Sequence, residues 1–182
     1  MRFRSRPRTP IVSRVRIRAI DDDDLDTVAS HLSERARAQH AARLVEQRAG
    51  RYRYLIAWDD VPIGHVGLAL PSDRHPADLC EWGELGIVED LWVQGPARRR
   101  GAGLELMLAL EAEALAAGIA EVGLDTGLDD GYASARRLYR KLGYLRRTGP
   151  YVVSARMPPG HPTLRYWMDI VTAWSKRLAP TP

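Results

Sequence analysis

The sequence predicts one mixed α/β domain, a sheet with helices on both faces, and three observations predict it. Two runs, residues 51–58 and 63–70, flank the acidic, proline-bearing turn Asp59-Asp60-Val61-Pro62 and read as an antiparallel hairpin. Later strand-like runs are joined through helical patterns, which calls for parallel neighbours in the same sheet. A chain of 182 residues that is 45% hydrophobic and 27% charged buries one good core. Residues 1–14 read as a basic, flexible N-terminal tail, and 15–182 as the domain.

Val15-Arg16-Ile17-Arg18-Ala19-Ile20 alternates apolar and charged side chains, the pattern of a strand with one buried face. The four aspartates 21–24 follow, where N-caps and dipole-favoured first-turn acids belong, and are expected to cap a helix rather than hold a metal. That helix repeats Leu25, Val28, Ala29 and Leu32. A second, through Ala38, Ala41, Ala42 and Leu44, ends at Gly50. After the hairpin and a polar loop over 71–83, a strand at 87–93 leads into a helix with Leu104, Met107, Leu108, Ala112 and Leu115 expected inward and Gly118 as its stop. A strand at 122–126 and a turn at 127–131 precede a helix at 133–142, with Ala135, Leu138 and Leu142 on one face and Gly143 ending it. Final strands fall at 144–147 and within 164–178, separated by a Pro/Gly-rich loop at 157–162.

Composition excludes several classes. No apolar run approaches the roughly 20 residues of a membrane-spanning helix, and the N-terminus lacks the apolar middle of a secretory signal. Cys80 is the sole cysteine, so no internal disulfide framework exists, and a reducing, cytoplasmic setting is the expectation. His31, His40, His65, His75 and His161 show no zinc spacing, so no metal is expected. Lysine occurs only at Lys141 and Lys176; the remaining positive charge is arginine spread along the chain. The seven arginines among residues 2–18 leave a nucleic-acid-binding arm as one alternative.

The stretch Leu91-Trp92-Val93-Gln94-Gly95-Pro96-Ala97-Arg98-Arg99-Arg100-Gly101-Ala102-Gly103-Leu104-Glu105 reads as strand, glycine-bearing loop and helix start. Gly101 and Gly103 are expected to let the backbone turn, so that consecutive N–H groups and a helix dipole meet one anion. A nucleotide P-loop would need a lysine after the glycines, and a dinucleotide fingerprint a third glycine where Leu106 stands. Phosphate of another kind remains.

Arg98, Gly101 and Gly103 match Arg/Gln-x-x-Gly-x-Gly/Ala, and Ala135-Arg136-Arg137-Leu138-Tyr139-Arg140-Lys141-Leu142-Gly143-Tyr144 matches Ala-x-x-Leu-Tyr-x-x-Leu-Gly-Phe/Tyr. In that order the two motifs resemble the GNAT N-acetyltransferase superfamily. The resemblance runs from about Val15 to Leu178. It implies a mainly antiparallel sheet of six to seven strands, acetyl-CoA as acyl donor, and direct transfer of acetyl to an amine. The acceptor is a small-molecule or protein amine, and a homodimer is left open. Two alternatives stand beside it, a non-catalytic acyl-CoA-binding regulatory module and the nucleic-acid-binding arm.

The resemblance also distributes roles. Arg98, Arg99, Arg100, Gly101, Ala102 and Gly103 would hold the pyrophosphate; Leu91, Trp92 and Val93 would present main-chain groups to the pantetheine arm. Tyr139, whose phenol is protonated at neutral pH, would give a proton to the leaving thiolate. A carboxylate is needed to relieve the amine of its proton. Glu89, read on the face of Leu91 and Val93, is the chosen base over Asp90, on the face of Trp92, and Asp125. Trp82 and Trp92 are candidates to line the acceptor pocket. The chain departs from the pattern at Gly95 for proline, Arg99 for glycine and Tyr132 for an asparagine that contacts the cofactor arm; Asp129 or Asp130, and of these Asp130, would replace that amide.

Overall fold

A computed structural model describes residues 15–71, 85–156 and 166–179. The basic tail, the loop bearing His75, Cys80 and Trp82, and the Pro/Gly-rich loop with His161 lie outside the described residues.

Seven strands form one sheet in the order β1-β2-β3-β4-β5-β7-β6. They are β1 Arg16–Ala19, β2 Tyr52–Asp59, β3 Val61–Ala69, β4 Gly86–Val93, β5 Glu121–Gly127, β6 Leu145–Arg156 and β7 Tyr166–Arg177. Every neighbouring pair is antiparallel except β4 and β5. Helices α1 Leu25–His31 and α2 Arg37–Arg48 cover one face, around Val28, Leu32, Leu44, Tyr54 and Ile56. Helices α3 Ala102–Ala116 and α4 Ala133–Lys141 cover the other, around Leu68, Leu106, Met107, Leu110 and Tyr139. The predicted mixed sheet with helices on both faces is the fold observed.

Several local expectations are corrected. The hairpin turn is tighter than 59–62: Asp59 pairs with Val61 around Asp60, whose φ is +61°, and Pro62 already sits in β3 opposite Trp58. Asp24 does not cap α1 with its side chain; it forms a two-pronged ion pair with Arg18, its Oδ1 2.6 Å from Nη2, while Asp21 accepts from the Asp24 N–H at 3.1 Å. On α2 the buried residues are His40 and Leu44, and Ala38 and Ala42 are exposed. On α3 the inward face is Leu106, Met107, Leu110 and Ala114, with Leu108 45% exposed and Ala112 in solvent. Ten of the fifteen residues of α3 are alanine or leucine, so hydrophobic spacing alone does not choose a face.

Two irregularities build the site. In the β3–β4 ladder His65 pairs with Trp92 and Gly67 with Glu89, so β4 carries one extra residue opposite Val66. This bulge places Asp90 at φ +54°, a conformation that aspartate tolerates better than most residues. Beyond the bulge the side-chain alternation is reversed. Leu91 and Val93 therefore join Val88 on the α3 side, and Ile87 and Trp92 pack on the α1–α2 side. The second irregularity is between β4 and β5, which pair only at Gly86–Val122 and Ile87–Gly123. From Val88 onward β4 has no β5 partner, and the edge of β4 opens into a slot.

Candidate active site

The slot ends at the turn between β4 and α3. Gly95–Ala97 forms a short 3-10 turn, and the chain then passes through Arg99 at φ +62° and Gly101 at φ +100° before α3 begins at Ala102. The turning residues are thus Arg99 and Gly101. Gly103, expected to turn as well, lies inside the helix, where an added methyl would make only ordinary contacts, 3.6 Å from Leu138 and 3.9 Å from Val93. Leu104 and Glu105 donate to the Gly101 carbonyl, at 2.9 and 3.1 Å. Among the described residues no partner accepts from the N–H groups of Arg99, Arg100, Gly101, Ala102 and Gly103. Five consecutive donors at the positive end of a 15-residue helix fit an anion such as a pyrophosphate.

Arg98 ties this turn to the slot, its Nε donating to the Val93 carbonyl at 2.8 Å. Arg100 lies 3.5 Å from Asp59. Arg98, Arg99 and Arg100 are all exposed around the donor row. Leu138, beside Val93 and the start of α3, brings α4 to the same place.

The next residue on α4 is Tyr139, only 7% exposed, its ring 5.8 Å from that of Tyr144. Burial, with the neighbouring Tyr132, pushes its pKa up to about 12. Among the described residues nothing hydrogen-bonds its hydroxyl. Before α4, Asp129 accepts from the Gly131 N–H at 2.6 Å and is committed to the turn, while Asp130 is exposed. Tyr132, in the place of the family's asparagine, packs on Gly127 and bonds to Asp169.

The three candidate acids separate clearly. Asp90 gives one carboxylate oxygen to Arg35 and the other to Arg43. Asp125, on β5, accepts from the Tyr151 hydroxyl, and burial raises its pKa. Glu89 lines a pocket of about 330 Å³ with Arg35, Gln39, Arg43, Glu46 and Tyr52. The Tyr52 hydroxyl donates to Glu89 Oε2 at 3.1 Å. Glu89 precedes the bulge and faces α2, so the shared face with Leu91 and Val93 expected from simple alternation is corrected.

Sequence reasoning missed a buried polar cluster on the same side. His40 and His65, which are 25 positions apart in sequence and showed no spacing signal, meet with ring centroids 6.1 Å apart. His65 Nε2 lies 2.6 Å from Glu34, His40 Nδ1 lies 2.8 Å from the Tyr54 hydroxyl, and Trp92 stacks on His65 at 6.1 Å. Desolvation lowers the pKa of both histidines and keeps them neutral. Trp92 is thus anchored by packing, at a point of β4 that has β3 on one side and no β5 strand on the other.

No functionally curated protein matches the sequence. Among solved structures, an N-acetyltransferase from Staphylococcus aureus Mu50 superposes with a TM-score of 0.66 at 13% identity, over 91% of this chain and 99% of that one. yncA from Salmonella typhimurium, determined with its cofactor acetyl-CoA, superposes at 0.64 with 17% identity, over 92% and 96%. The ribosomal-protein-S18-alanine N-acetyltransferase from Escherichia coli superposes at 0.62 with 17% identity, over 92% and 96%. At these identities the likeness is one of fold. The acetyltransferase (GNAT) family model matches residues 16–144, and the chain belongs to that family.

Proposed function

We propose that the protein transfers an acetyl group from acetyl-CoA to a primary amine by direct attack. The observation that carries this reading is the row of five unpartnered N–H groups at Arg99–Gly103, placed where the parted edge of β4 ends. Acetyl-CoA would supply an activated thioester whose pyrophosphate suits that row and whose pantetheine arm suits the edge of β4 at Leu91, Trp92 and Val93, which has no β5 neighbour.

The protein's own residues then supply two proton movements. Glu89 faces the pocket beside the slot and takes a proton from the acceptor ammonium, leaving a free amine lone pair to attack the thioester carbonyl. Tyr139, held protonated by burial, donates to sulfur as the carbon–sulfur bond breaks, while the nitrogen sheds its second proton to water and water reprotonates the phenol. The exposed arginines 98–100 would hold negative charge near the donor row, and the exposed Asp130, just before α4, would contact the arm. This solution requires no metal and no acyl-enzyme.

Two measurements test it. Acetyl-CoA raises the melting temperature, and thiol is released when a suitable amine is added. Tyr139→Phe lowers kcat at least tenfold while acetyl-CoA binding stays within about twofold, because one proton donor in the transition state is removed and no binding contact is lost. Unchanged kcat would remove Tyr139 from the mechanism, and no thermal shift with acetyl-CoA would remove the donor.

A further inference from the structure

The pocket beside Glu89 carries more charge chemistry than capture of a plain amine requires. Arg35 follows α1, and Arg43 lies on α2; both are largely buried, with side chains 23% and 15% exposed. They share one carboxylate, that of Asp90 at the β4 bulge. Two guanidiniums share that single carboxylate in the wall. Glu34, 2.6 Å from the neutral His65, also attracts Arg35, and Glu46 pairs with Arg51 at 2.6 Å. Arg35 Nε and Arg43 Nη1 are buried donors with no partner among the described residues. Burial first, and then the like charge of Arg43, lower the pKa of Arg35, and a second carboxylate on the two free donors would offset both.

The opposite charge is close by. The Tyr52 hydroxyl lies 3.3 Å from Arg43 Nε and 3.1 Å from Glu89 Oε2. A single hydroxyl therefore separates the cationic wall from the carboxylate. That spacing suits one small molecule bearing both an ammonium and an acid group, and a volume of about 330 Å³ is at the small end of ligand pockets, about 300–1,000 Å³.

We propose that the acceptor is a free amino acid or a similar small amine carrying a carboxylate, with Arg35 and Arg43 reading the carboxylate while Glu89 reads the nitrogen. This rests on the acetyl-transfer reading for its consequence, and its test separates the two. Calorimetry on the CoA-bound protein compares L-leucine, L-phenylalanine and L-glutamate with their α-carboxamides, which stand for the amino end of a peptide. At least one acid binds tenfold or more tighter than its amide, and Arg43→Gln or Arg35→Gln abolishes the preference. Equal binding of acids and amides, or binding of none of the three acids, overturns the proposal from wild-type protein alone, whether or not the variants fold. Preferential binding of the acid without thiol release from acetyl-CoA leaves the pocket assignment standing and removes acetyl transfer. Thiol release as fast with the amides as with the acids does the reverse.

Discussion

The Tyr52 hydroxyl occupies the space that a side chain at position 67 would fill: a methyl group on Gly67 would stand 1.8 Å from it. Gly67 pairs with Glu89 across the ladder, so the glycine makes room for the phenol that bonds to the proposed base. Gly67→Ala forces the buried Tyr52 ring aside and costs about 1–3 kcal/mol, by the usual scale of overpacking. Calorimetry should show Tm lowered by roughly 2–4 °C per kcal/mol for a chain of this size. Acceptor turnover falls with it, while acetyl-CoA affinity, set on the other side of β4, changes less.

Gly101 and Gly103 predict opposite outcomes for the same substitution. Alanine at Gly101 must adopt φ +100° and costs about 1–2 kcal/mol, with the donor row displaced and acetyl-CoA affinity lowered about tenfold. Alanine at Gly103 meets no close contact and stiffens the helix start, raising stability by about 0.4–1 kcal/mol. Thermal melts and acetyl-CoA titrations of the two variants check the pair.

Acid should loosen the α1–α2 side first. His40 and His65 have pKa values below the ordinary 6.5 because burial opposes their charging, against the pull of Glu34. The unfolded chain therefore takes up protons before the folded one does. The stability these rings contribute is complete above pH 6.5 and is lost as pH falls below it. Tm measured from pH 8 down to about 5 declines below that point, and His65→Gln flattens the decline.

At the alkaline end Tyr54 and Tyr139 act together. Burial raises both to about 12 from an ordinary 10, so the folded state resists ionisation that the unfolded state accepts. Their contribution is full below pH 10 and is lost as pH rises toward 12, on the order of 2 kcal/mol each. Tyrosinate absorbance and ellipticity followed across pH 9–12 should change together. Ionisation of these two rings without loss of structure would contradict the burial argument.

The half of the site proposed for the donor was legible because it is local. Arg98, Gly101 and the Leu138-Tyr139 pair sit at fixed offsets within single segments, and hydrophobic spacing located the sheet and all four helices. The acceptor half depends on register. One extra residue at Asp90 reversed the alternation along β4 and moved Glu89 away from the face of Leu91 and Val93, a change that alternating pattern alone does not announce. Arg35, Arg43 and Asp90 come from three separate segments, and His40 meets His65 only after α2 packs on β3, so no spacing marked them.

Where β4 and β5 part after two residue pairs, the surfaces offered to a long thin guest are amides and carbonyls, which every amino acid carries. Substitution can rewrite the side chains on either bank without erasing the docking edge, consistent with a shared fold at 13–17% identity. The opposite wall has no such insurance. Each change at Arg35, Arg43 or Glu89 alters the chemistry presented, so the proposed acceptor wall is free to diverge while the edge proposed for the donor is kept.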